Sequence, residues 1–148
     1  MAEIIITDRI ELQGRNIIAE LLDKDGNRKA IQYIGHNMVT PKGKRHIVNQ
    51  LSSAPSSAVR YMCIGIGTPT TIGLGSLEKG QAVTSYVAAA KTVTYVATFT
   101  LSSTHTITEA CLAVHSTGLG TVMCTNGTLL QLMNATDALQ IIWPVGVV

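Results

Sequence analysis

The sequence predicts an all-β domain, a β-sandwich or jelly-roll-like fold with one short helix, on three observations. From residue 59 onward, short β-rich apolar runs follow one another at turn-punctuated spacing, the pattern of sandwiches and barrels. KTVTYVATFTL alternates well, so Val93, Tyr95, Ala97 and Phe99 share one face and Thr92, Thr94, Thr98 and Thr100 the other. Only Thr40-Pro41 gives a clear helix start: Thr can cap, and Pro at the first helical position loses no useful donor. At 148 residues the chain is read as a single domain able to bury its own core. Residues 1–36 form its N-terminal arm and hairpin unit.

The elements follow in order. In MAEIIITDRIEL, Ile4, Ile5 and Ile6 are too apolar to be left in water. The segment is expected either as an arm reaching a neighbour or as a first core strand. IIAELLD and RKAIQYI flank Lys24–Asn27, whose Asp25-Gly26 pair signals a hairpin turn. PKGKRHIVNQL places Ile47, Val48 and Leu51 on one side of a helix over about 41–52, and SSAPSSA is a loop. YMCIGI is a buried strand, Tyr61–Ile66, ending in close-packed Gly65 and Gly67. A neutral, flexible loop, Thr68–Ser76, and one helical turn near Ser76–Lys79 are expected next. VTSYVAAA, KTVTYVATFTL, ITEACLAVH, TVMCT, LLQLM and ALQIIWPV then read as strands, with Pro144 marking an edge strand or a strand end.

Charge is low and uneven. Charged residues make up 14% of the chain, and residues 51–148 carry only Arg60, Lys79, Lys91, Glu78, Glu109 and Asp137. Charges normally keep a surface soluble and unassociated, so a domain this neutral is expected to cover much of its surface with other subunits. A net charge of +2 predicts no direct nucleic-acid partner. No apolar run reaches the roughly 18 residues of a membrane span, so no membrane partner is expected. The first residues have acids where a signal peptide needs a basic head. Three cysteines, Cys63, Cys111 and Cys124, without CxxC fit reduced thiols and synthesis in the cytoplasm.

The motifs that carry chemistry fail one by one. Gly65-Ile-Gly67 has Thr70 where a dinucleotide fingerprint needs its third Gly, and Pro69 interrupts it. Lys79 follows Glu78 rather than Gly, so the P-loop template fails too. Cys111 and His115 would share a strand face, with Cys124 on a neighbouring strand, but the spacing is not that of a zinc site. No GxSxG elbow exists, and Glu109 beside His105 reads as a solvated strand-edge pair. No enzyme activity, metal or cofactor is expected. Lys42, Lys44 and Arg45 cluster at a helix N-terminus, the unfavourable end for cations. They are either a solvated face or the contact for a partner's acidic patch.

Taken in order, NMVTPKGKRHIVNQL, YMCIGIGTPTT, VTYVATFTLSSTHTITEACL, GTVMCTNGTL and ALQIIWPVGVV resemble a group of small tailed-bacteriophage virion proteins. The resemblance covers about residues 37–148. The chain departs from that group at Cys111, where the group has Gly after Ile-Thr-Glu-Ala, and at Pro144 and Gly146 in the final strand. It implies a non-enzymatic particle component located in the virion, a head decoration (cement) protein or a tail-associated one. The implied partners are the major capsid protein or other virion proteins and further copies of the chain, as a trimer by analogy with the shell's three-fold positions. The expected contact residues are Ile4, Ile5 and Ile6 of the arm, Lys42, Lys44 and Arg45, and Thr68, Pro69, Thr70, Thr71 and Ile72 of the neutral loop. A tail or neck component is the first alternative. A carbohydrate- or ligand-binding sandwich is the second, and an aromatic content of 4% counts against it.

Overall fold

The computed structural model describes residues 12–14, 17–34, 38–51, 58–70, 73–117, 122–127 and 129–147. Strands take up 58% of the described residues and the helix is short, so the fold is all-β and sandwich-like. In chain order the elements are β1 (Leu12–Gly14), β2 (Ile17–Leu22), β3 (Arg28–Ile34), β4 (Met38–Val39), α1 (Pro41–Leu51), β5 (Tyr61–Gly65), β6 (Leu77–Ala82) and β7 (Ser85–Ala89). There follow β8 (Thr92–Thr100), β9 (His105–Ile107), β10 (Glu109–Ala113), β11 (Val122–Asn126), β12 (Gln131–Met133) and β13 (Ala138–Val147).

Among the described residues, one sheet runs β3-β2-β13-β8-β7, with β1 also on β13. A second runs β4-β11-β10-β5-β6, and β12 pairs β9. All the registers are antiparallel. The two large sheets share one core. Ile17, Ala97, Phe99, Leu139, Ile141 and Trp143 come from the first, and Met62, Ile64, Ala110 and Leu112 from the second. Their flanks meet as well. β1 lies beside β4, and Lys79 and Gln81 of β6 donate to the carbonyls of Thr100 and Thr98 on β8.

Local chemistry explains the elements that fold as read. Asp23 accepts the N–H groups of Asp25 and Asn27 at 2.9 Å each, and Gly26 takes φ 83°, which closes the β2–β3 hairpin. That hairpin belongs to the first sheet through the β2–β13 ladder, Leu22↔Ala138 to Ile18↔Ile142. The buried Thr40 hydroxyl accepts the Gly43 N–H at 2.9 Å and donates to the Val122 carbonyl, so it caps α1 and ties it to β11.

Several expectations need correction. Val48 is 62% exposed. The inward face of α1 is Gly43, His46 and Ile47, one helical step away, and burial pushes the His46 imidazole below its usual range. Residues 77–82 are strand β6 rather than following a helical turn, because they pair with β5. ITEACLAVH is not one strand: it changes sheet at Thr108, β9 pairing β12 while β10 pairs β5 and β11. Pro144 sits in the central strand β13, not at an edge. It is in register with Thr94 of β8, and the described ladders to β2 and β1 reach Ile142 and Val145 on either side of it, residues 15 and 16 lying outside the described residues.

Candidate functional site

The glycine segment and the Ile-Thr-Glu-Ala element are far apart in sequence, yet they form one unit. Glu109 opens β10 directly opposite Gly65, the last residue of β5. Its side chain is fully buried. Oε1 accepts the Ser76 N–H at 3.0 Å. Oε2 has no hydrogen-bond partner among the described residues. A Cβ on Gly65 would come within 2.7 Å of Glu109 Oε1, and one on Gly67 within 3.1 Å of Oε2. The two glycines are therefore the walls of a carboxyl cradle, not a phosphate loop.

Thr108 completes the clasp. Its N–H donates to the Gly65 carbonyl at 2.9 Å and its hydroxyl to the Gly67 carbonyl at 2.6 Å. Ile66 N–H bonds the Ser76 carbonyl at 3.0 Å, and Thr70 N–H bonds the Gly73 carbonyl at 2.8 Å. The loop between β5 and β6 is thus tied at its base and across its middle, where the sequence predicted a flexible one. Leu74 turns back over the outer face of the second sheet, against Cys63, Cys111, Ala113 and Val122. Ile66 is 42% exposed, so it belongs to the loop and not to the buried strand.

What the clasp presents is neutral. Thr68 and Thr70 are exposed and Pro69 is half-buried, with its ring close to Gly127. Thr71 and Ile72 lie outside the described residues, as do Ile4, Ile5 and Ile6. Lys42, Lys44 and Arg45 are exposed on α1. The helix begins beside Val122, whereas Pro69 sits near Gly127 beyond the opposite end of β11. The basic cluster and the neutral loop are therefore two separate surfaces and do not form one site.

Glu109 does not pair with His105. The His105 ring meets Glu78 at 3.2 Å and the Ser103 hydroxyl at 3.0 Å instead. Cys111 lies opposite Cys63 and Thr125, while Cys124 lies opposite Leu112. Among the described residues no three His, Cys, Asp or Glu side chains converge as metal ligands. Asp137 is 2% exposed, and both its oxygens receive Lys29 Nζ at 3.0 Å. Burial pushes its carboxyl up, but the Asn134 N–H and the Lys29 ammonium outweigh that and hold it below the usual carboxylate range.

A depressed folded-state value stabilises the protein above the unfolded value, near pH 4. That stabilisation is lost as pH falls through the folded value. Asp137→Asn is expected to lower the urea midpoint at pH 7 and to flatten its fall below pH 4. An acid limb identical to the parent's would show that other carboxyls drive acid unfolding.

Comparison of the chain with family models, with curated proteins and with solved structures gives no match.

Proposed function

We propose that this chain is a non-enzymatic structural protein of a tailed-phage particle, a decoration subunit that binds the outside of the head and clamps neighbouring capsomers. The observation that carries the reading is the surface. Val87, Leu130 and Leu132 are each more than half exposed, and they lie in the last 98 residues, which hold six charged side chains. A surface this poor in charge suits interfaces that resemble a domain core cut in half. The ordered sequence motifs resembling phage virion proteins supply the class of particle. The clasped loop supports it as well, since it offers Thr68 and Thr70 without side-chain charge from a rigid base.

Mixing the purified full chain with expanded empty capsids and with isolated tails, then sedimenting the particles, tests this. Decoration predicts co-sedimentation with heads at a copy number that scales with shell area. A single ring's worth of chain on tails or necks would instead favour the adaptor or collar reading. Binding to neither particle overturns both.

A further inference from the structure

The large sheets end on β3, β4, β6 and β7, and three of these edges are closed to an incoming strand. β3 opens with Arg28 and Lys29, its ladder to β2 is bulged, and Gln32 binds Leu130 and Gln131 alongside it. β4 is two residues long, lies beside β1 and runs straight into α1. β6 carries Glu78 and Lys79, is bulged against β5, and spends Lys79 and Gln81 on carbonyls of β8. Charges, bulges, shortness and cover are the usual defences of a sheet edge.

Among the described residues, β7 has none of them. Ser85-Tyr-Val-Ala-Ala89 has no charge and no proline, its register with β8 is unbroken, and all five residues are exposed. Arg60 stacks over the Tyr86 ring at 3.7 Å from its centre, which covers one face of one residue and leaves the edge open.

We propose that β7 is the docking edge for a second copy of this chain, with Ser85–Ala89 of two copies pairing antiparallel about a two-fold axis at Val87. The occupant must be an extended strand, because an open edge offers a row of backbone N–H and C=O groups. It is the same strand because a head-to-tail ring needs two different open edges, and among the described edges of the two large sheets β3, β4 and β6 are closed. An isologous pair needs one open edge and closes after two copies. The pairing is also self-complementary. Tyr86 falls opposite Ala88 and Ser85 opposite Ala89, large against small, and no like charges meet. The inference is independent of shell binding, and it replaces the three-fold expected by analogy with a two-fold.

A strand pair this short lies at the low end of interface size, so dissociation at micromolar concentration is expected. The test is light scattering of the full chain from about 1 to 100 μM. Its mass should rise from the 15.7 kDa of one chain toward twice that value. Val87→Lys should hold it at one chain with unchanged circular dichroism and melting, since Val87 is already 60% exposed. Leu132→Lys should leave the dimer intact. Val87→Cys, oxidised with copper phenanthroline, should cross-link two copies where Leu132→Cys does not. A one-chain mass throughout, a three-chain mass, or a dimer unmoved by Val87→Lys overturns the proposal. Adding empty capsids separates it from the functional reading. A one-chain protein that still binds shells loses only the pairing, and a β7 dimer that binds neither heads nor tails loses only the shell.

Discussion

Gly80→Ala is expected to cost at least about 3 kcal/mol and to leave little folded protein at 37 °C. Gly80 sits in β6 opposite Cys63. A Cβ there would overlap the Ser116 carbonyl oxygen, come within 2.6 Å of its carbon and within 2.9 Å of Cys63 Sγ. Two of those three atoms are backbone, so no rotamer change relieves the clash. β6 cannot simply move away, because Lys79 and Gln81 hold its other flank to β8. Gly26→Ala is the control. Gly26 has φ 83° with nothing within 4 Å of the added methyl, so it bears only the conformational cost of about 1 kcal/mol. The free-energy loss read from urea unfolding should be larger for Gly80→Ala than for Gly26→Ala by about threefold or more. Equal midpoints would mean that the crossing of Ser116 over β6 has slack.

Where structure is decided within a few residues, it was legible in the sequence. The alternation of β8, the Asp25-Gly26 turn and the Thr40 cap all depend on near neighbours, and all fold as expected. What was missed depends on distant pairing. Leu77-Glu-Lys has ordinary helix formers, and only the ladder to β5 makes it a strand. VTSYVAAA has the composition of a core strand, and its place at the sheet edge is a fact of topology. Pro144 looks like an edge because a proline removes a ladder donor, yet β13 is central because it pairs with both β2 and β8. Glu109 was misread for a related reason. An acid next to Thr108 and near His105 looks like surface, and its burial is visible only once Gly65 and Gly67 are placed against it. One signal was present: Glu109 lies within an otherwise apolar strand, in a part of the chain that has two other acids.

Glu109→Ala is expected to cost about 2–4 kcal/mol, combining an emptied cradle with a Ser76 N–H that loses its acceptor. Glu109→Gln keeps an acceptor in the same place and should cost about 1 kcal/mol. Stability alone does not distinguish a latch from a core filler, so the loop needs its own readout. Limited proteolysis between Ile66 and Ser76 should be slow in the parent and in Glu109→Gln. It should be faster in Glu109→Ala, because the carboxyl is the side-chain tie that reinforces the Ile66 to Ser76 backbone bond closing the loop, while Thr108 holds only its base. Glu109→Met decides between the roles. It refills the volume but offers no strong acceptor to Ser76. A Met variant that regains stability while its loop stays cleavable makes the carboxyl a latch. One that regains both makes Glu109 a space-filler. In the latch case the same variants should lose shell binding in the order of their loop cleavage. An uncharged contact loop gains affinity chiefly by being held in its bound shape beforehand.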